Sequence, residues 1–254
     1  MIEWIFFDIG NVILNDDPAM AFFYHEIYQA IQQNGRRVSL DEVLEAREHS
    51  ILVERNGKHY EAVGQLFLDR RTWHKVDLKI RRTLAEHWQE FSPLIPGIVP
   101  IIQSLASRFK LGLIANQPRE VMGVLEHHDL LKYFQIHGIS QIVGVSKPHP
   151  AIFQWALEQA ACVPEKALMI GDRIDNDIVP ARALHLKTLW LSLPLHLKGY
   201  APQSDFERRY FQSLEKASAS KMPPRDASEM PDATAEDFTA ILMAVNKLQA
   251  ESSA

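Results

Sequence analysis

Asp8 closes the apolar run Trp4-Ile5-Phe6-Phe7, and Gly10-Asn11 follow within three residues. An apolar strand that delivers a carboxylate into a glycine turn puts it on the rim of a sheet, where parallel α/β sheets bind their ligands. A carboxylate there can be a covalent nucleophile, a metal ligand, or both. A second segment, Gly171-Asp172-Arg173-Ile174-Asp175-Asn176-Asp177, also follows an apolar run and is also rich in carboxylates. Two such strand ends in one chain make a divalent-metal site the leading expectation.

Two further positions stand in the same relation to the chain. Asn116 follows the apolar run Leu111 to Ala115, and Lys147 opens Lys147-Pro148-His149-Pro150 ahead of a helix. Taken singly these residues have plain structural readings. Lys147 reads as a surface lysine, Asp175 as a solvated or capping residue, Asn176 as a helix cap, and His127-His128 as exposed residues at a helix end. The four strand ends carry weight because they occur together and in order.

The elements that must position them alternate. Ile2 to Phe7 is a buried strand by its short apolar run and turn signal. From about Pro18 to Glu90 the period changes to helical, as in Phe22, Phe23, Ile27 and Ile31, then Val43, Leu44 and Arg47, with Asn34-Gly35 and Asn56-Gly57 as punctuation. Ser39 with Glu42 has the form of a capping box. After Pro96-Gly97 come a helix over 98–107, a strand over 111–115 and a helix through Val121, Val124 and Leu125. Short strands are predicted at 136–139 and 142–143, a helix from Pro150, a strand over 167–170, a helix over 177–184 and a strand over 188–191. Strand–helix alternation predicts a doubly wound parallel sheet with helices on both faces, an α/β fold, interrupted by an all-α insertion.

The sheet pattern ends near Leu193, and helical periodicity returns at 205–217 and 237–248. The stretch 218–231, rich in Ser, Pro and charge, reads as a loop or partly disordered segment. Each late helix must bury its apolar face to persist. The last is expected on the sheet unit, and the first stands open as a subunit contact, so the chain is a monomer or a homodimer.

Composition excludes several classes. A formal net charge of −5 and a pI near 6.1, without a long basic run, argue against nucleic acid as a partner. No apolar run approaches the roughly 20 residues of a membrane span, and no secretory signal precedes Asp8. The single cysteine, Cys162, points to a reduced, cytoplasmic location and to packing rather than chemistry.

The order and spacing of four segments resemble the haloacid dehalogenase-like (HAD) superfamily of hydrolases, most of which are phosphatases. They are Phe7-Asp8-Ile9-Gly10-Asn11-Val12, Leu113-Ile114-Ala115-Asn116, Gly144 to Phe153 around Lys147-Pro148-His149-Pro150, and Met169-Ile170-Gly171-Asp172 through Asn176-Asp177. The resemblance covers residues 1–193. It implies a Rossmann-like core of 1–16 and 93–254, the last part (205–254) a C-terminal helical extension, and a helical cap at 17–92. It implies a phosphatase acting on a small phosphorylated metabolite, with Asp8 as the nucleophile that becomes an aspartyl-phosphate. Asp8, Asp172 and the Gly10 carbonyl would hold Mg²⁺, and Lys147 would neutralise charge at the phosphoryl group. Asn116 and Asn11 would bind substrate, with Asp177 and Asn176 in an outer layer.

The chain departs from the family's pattern at two places. Gly10 stands where most such phosphatases carry a second Asp as general acid and base, and Ala115 stands where they carry Ser or Thr. Losing general acid–base help costs roughly 10²–10⁴-fold, and losing one hydrogen bond to an anion about 1.5–3 kcal/mol. Two alternatives therefore stand beside the phosphatase: a non-catalytic or weakly active binding protein, and a metal-independent dehalogenase.

Overall fold

A computed structural model describes residues 1–55 and 57–251. Asn56, half of one predicted punctuation pair, lies outside them. The chain forms two compact units. The first comprises Met1–Asn15, Pro93–Gly199 and the chain from Pro223 onward, and the second comprises Asp16–Ser92 and Tyr200–Met222.

The first unit is built on six parallel strands: β1 (Trp4–Phe7), β2 (Lys110–Ala115), β3 (Phe134–Ile139), β4 (Ala167–Gly171), β5 (Lys187–Leu191) and β6 (Ala233–Ala235). Their spatial order is β3-β2-β1-β4-β5-β6. This is the doubly wound α/β arrangement that the alternation predicts, and the strand order reverses beside β1. Every residue of β1 and β4 is buried. A parallel sheet covered on both faces needs continuous apolar runs rather than alternation, and Trp4-Ile5-Phe6-Phe7 and Ala167-Leu168-Met169-Ile170 supply them. Phe7 registers with Leu113 on one side and Ile170 on the other, so the residues after β1 and β4 emerge together at the switch point.

Helices α6 (Ile98–Ala106), α7 (Val121–His127), α8 (Ser140–Val143), α9 (Pro150–Ala160), α10 (Val179–Ala183) and α12 (Phe238–Glu251) belong to this unit. Their connections differ from the sequence expectation at three points. Residues 142–143 lie in α8 rather than in a strand, because Ser140–Val143 makes a single helical turn that Gly144 closes in left-handed backbone. The predicted helix over 177–184 begins instead as a wide π turn, Ile174–Ile178, before α10. The sheet does not end near Leu193: β6 pairs with β5, fixed by Asp232, whose Oδ2 accepts from the Thr188 N–H at 2.9 Å and hydroxyl at 2.8 Å. The segment before it is ordered too, with Glu229 accepting from the Arg225 backbone N–H at 2.8 Å.

The second unit is helical: α1 (Asp17–Gln33), α2 (Leu40–Leu52), α3 (His59–Phe67), α4 (Arg70–Glu86), α5 (Trp88–Phe91) and α11 (Asp205–Lys216). The capping box at Ser39 and Glu42 forms, with Glu42 N–H donating to Ser39 Oγ at 3.2 Å. Residues 205–251 are divided between the units instead of all staying with the sheet. Helix α12 packs on α6 and the sheet edge through Ile241, Val245 and Leu248, each worth roughly 1.5–3 kcal/mol on burial. Helix α11 packs on α1 and α2. Its Tyr210 and Leu214 are buried there, while Phe206 and Phe211 of the same face are half-buried.

Candidate active site

Three carboxylates and one ammonium meet at the C-terminal ends of β1 and β4. The Asp8 N–H donates to the Ile170 carbonyl at 2.9 Å, continuing the β1–β4 ladder one residue past the strand. The turn then folds back, with Asn11 N–H on the Leu14 carbonyl at 2.6 Å. Asp8 Oδ1 accepts from the Ile9 N–H at 2.8 Å and pairs with Lys147 Nζ at 2.8 Å. Both bonds fall on one oxygen and leave Oδ2 for a ligand.

Lys147 bridges two carboxylates, because its Nζ also donates to Asp177 Oδ1 at 2.6 Å. Its side chain is 1% exposed. Burial works against the ammonium, but the negative charges of Asp177 and Asp8 outweigh it and hold the Lys147 pKa above its ordinary value. The backbone of Lys147 is clamped by Asn116: Asn116 Oδ1 accepts from Lys147 N–H at 2.7 Å, and Nδ2 donates to its carbonyl at 2.8 Å. Asn116 thus uses its amide oxygen and one amide hydrogen to place the lysine, and one donor remains for an anion. Just beyond, His149 caps α9 by accepting from Ala151 N–H, and Pro150 takes the first turn, as the missing N–H of proline allows.

The wide turn after β4 returns Asp177 onto the strand end. Asp177 Oδ2 accepts from Arg173 N–H at 3.0 Å, which together with the Lys147 bond engages both its oxygens. The return is so close that a Cβ on Gly171 would sit 2.3 Å from Asp177 Cβ, which only glycine permits. Asp172 is 3% exposed, and its carbonyl accepts from Trp190 Nε1 at 2.8 Å. Asn176 lies half-buried inside the wide turn, and α10 has no side-chain cap. Asp175 pairs with Arg173 at the surface.

One oxygen from each of Asp8, Asp172 and Asp177 lies within 4.8 Å of the others. Such crowding shifts equilibria. Burial, then the charges of Asp177 and Asp8, push the Asp172 carboxyl well above the ordinary range, against Lys198 and Arg173. Burial likewise raises Asp177 to about 6, although Lys147 pulls the other way. A hard divalent cation takes oxygen ligands and would relieve this repulsion, so the donor set fits Mg²⁺. Lys198 had no place in the sequence reading, yet its Nζ donates to Asn11 Oδ1 at 2.9 Å. Among the described residues no helix is long and apolar enough to cross a membrane.

A family model described as a hydrolase, haloacid dehalogenase-like hydrolase, matches residues 2–185. The chain is 27% identical to a glyceraldehyde 3-phosphate phosphatase of Pyrococcus furiosus over 220 residues, covering 79% of this chain and 87% of that one. It is 34% identical to the pyrimidine 5'-nucleotidase YjjG of Escherichia coli over 117 residues, which span 45% of this chain and 52% of the relative. Among solved structures, a predicted phosphoglycolate phosphatase of Haemophilus somnus superposes with a TM-score of 0.68 at 18% identity, over 96% of this chain and 98% of that one. The HAD-hydrolase YfnB of Bacillus subtilis, solved bound to magnesium, superposes with a TM-score of 0.65 at 17% identity, over 96% and 99%. At such identities the structural likeness speaks for the fold alone.

Proposed function

The chain belongs to the haloacid dehalogenase-like hydrolase family, and we propose that it is a Mg²⁺-dependent phosphatase of a small phosphate monoester that carries the phosphoryl group on Asp8. The observation that carries this reading is the convergence of Asp8, Asp172 and Asp177 within 4.8 Å around a fully buried lysine. Relatives named phosphatase and nucleotidase support it.

Asp8, Asp172 and the Gly10 carbonyl would hold Mg²⁺, which when bound supplies charge neutralisation at a phosphoryl oxygen. Asp177 would stay behind them, since both its oxygens are already bonded. Asp8 attacks phosphorus, the bond to the ester oxygen breaks, and the leaving oxygen takes its proton from water. Water then attacks the phosphorus of the acyl phosphate, releasing phosphate and restoring the Asp8 carboxylate. Lys147 pairs with Asp8 Oδ1 and aims it, while Asn116 holds Lys147 and can give its remaining N–H to the phosphoryl group. Helices α1–α5 and α11 take the part of the cap on this reading. Gly10 offers no acid to the leaving oxygen, so esters with acidic leaving groups are the better substrates.

The test is release of phosphate from p-nitrophenyl phosphate with and without Mg²⁺. Metal-dependent release is the expected result. Chloride release from a haloacid without metal would replace the reading with a dehalogenase, and neither reaction would leave a binding protein.

A further inference from the structure

Lys198 ends the short 3₁₀ turn Leu195–Lys198, and Gly199 follows it in left-handed backbone with φ 73°. A Cβ at Gly199 would lie 2.8 Å from the Pro96 ring, so the turn is seated closely. The lysine is 2% exposed. Two bonds tie it to the loop after the nucleophile: its Nζ donates to Asn11 Oδ1 at 2.9 Å, and its carbonyl accepts from Asn15 Nδ2 at 3.0 Å. A buried ammonium is costly unless it is compensated, and the charge of Lys198 also acts on the Asp172 carboxyl.

The bond to Asn11 has a directional consequence. An ammonium can only donate, so it selects the oxygen end of the Asn11 amide and settles which way that amide faces. The nitrogen end, which only donates, is thereby turned away from Lys198. Asn11 itself is half-buried and held in left-handed backbone with φ 55°, three residues after Asp8 and next to Gly10. A phosphate dianion needs N–H donors that are already aimed, and this site lacks both the acid absent at Gly10 and the hydroxyl absent at Ala115.

We propose that Lys198 is a positioning residue that locks the Asn11 amide with Nδ2 as a fixed donor to the phosphate ester at Asp8. The inference rests on the phosphatase reading. It assigns the hold on substrate to a residue that arrives from the chain after β5. Losing an aimed donor to an anion lowers rate about 10- to 100-fold.

A double-mutant cycle tests it, with p-nitrophenyl phosphate as substrate and Mg²⁺ present. Lys198→Met and Asn11→Ala are each expected to lower kcat/KM by about 10- to 100-fold. The pair is expected to be no worse than Asn11→Ala alone, since the lysine acts through the asparagine. Lys198→Gln, whose amide can still donate to Asn11 Oδ1, should recover most of the loss. If Lys198→Met fails to melt cooperatively, the cycle is run with Lys198→Ala, and a folded but inactive Lys198→Gln overturns the proposal. Losses that multiply overturn it, as does a Lys198→Met loss that disappears at saturating Mg²⁺, which would place the lysine's effect on Asp172. A wild type without turnover removes the phosphatase reading and this inference with it. Variants that match an active wild type remove this inference alone.

Discussion

Lys147 in the sheet unit and Arg47 in the helical unit are both buried cations, held in opposite ways. In the sheet unit, Lys147 meets the carboxylates of Asp8 and Asp177. In the helical unit, Arg47 is 1% exposed and pairs with no acid among the described residues. Its Nη1 donates to the Ser213 carbonyl at 3.1 Å and hydroxyl at 3.0 Å, and its Nη2 donates to the Ala217 carbonyl at 2.9 Å. Its guanidinium lies over the Tyr24 and Tyr210 rings at 5.8 and 5.1 Å. Arg47 therefore caps the C-terminal end of α11, where helix carbonyls lack partners and the dipole favours a cation. One cation is surrounded by groups that can gain protons or accept a phosphoryl group. The other is surrounded by carbonyls, a hydroxyl and tyrosine rings, none of which gains a proton between pH 5 and pH 8. Burial alone does not mark a functional charge; titratable partners at an open strand end do.

The comparison breaks most sharply at Asp8. Asp8→Asn keeps the shape and removes the nucleophile, so turnover of p-nitrophenyl phosphate should fall by roughly 10⁴-fold or more with little change in melting temperature. Activity that persists would make Asp8 a binding residue only.

The two cations should then separate by pH. Lys147→Met strands Asp8 and Asp177 without their counter-charge, a loss of about 3–5 kcal/mol for a broken buried pair. That loss should be largest near pH 8 and smaller near pH 5, where the stranded Asp177 takes up a proton. Arg47→Ala should cost about 2–4 kcal/mol through the lost carbonyl bonds and ring contacts. Its cost should be the same at both pH values, because carbonyls and a hydroxyl do not titrate there. Denaturant unfolding at the two pH values measures both, and an equal pH dependence would erase the distinction.

A smaller effect sharpens the metal side. The Asp172 and Asp177 carboxyls are raised in the fold, so their protonated forms favour the folded state. That contribution is complete below about pH 4, the unfolded value, and is lost as pH rises through about 6 for Asp177. Mg²⁺ needs ionised Asp172 as a ligand and favours the ionised form of Asp177 beside it, so the rise in melting temperature on adding Mg²⁺ should grow from pH 5 to pH 8. A shift that is flat or shrinks with pH would place the ion elsewhere.

How much of this was legible in the sequence follows from which forces are local. Strands β1, β2 and β4 announce themselves because a sheet covered on both faces needs unbroken apolar runs, and the turn residues after them mark the rim. Arg47 was visible at its place in the stripe of Val43 and Leu44, an unusual charge on a buried face, but its partners lie far along the chain. Strand β6 has three residues in a stretch dominated by Ser, Pro and charge, and it exists because Asp232 meets Thr188. Lys198 sits among leucines with no motif around it. Its bond to Asn11 comes from the chain returning after β5, which periodicity does not record. The wide turn at 174–178 was likewise hidden, since its cause is the contact of Asp177 on Gly171 rather than any local preference.

The most direct test of the account is to look for the phosphoryl group itself. The protein is turned over with p-nitrophenyl phosphate and Mg²⁺, quenched in acid and digested, and the peptide bearing Asp8 is weighed by mass spectrometry. The account predicts that this peptide gains the mass of one phosphoryl group during turnover and that the Asp8→Asn peptide does not. Turnover with the phosphoryl group on a different residue would contradict it.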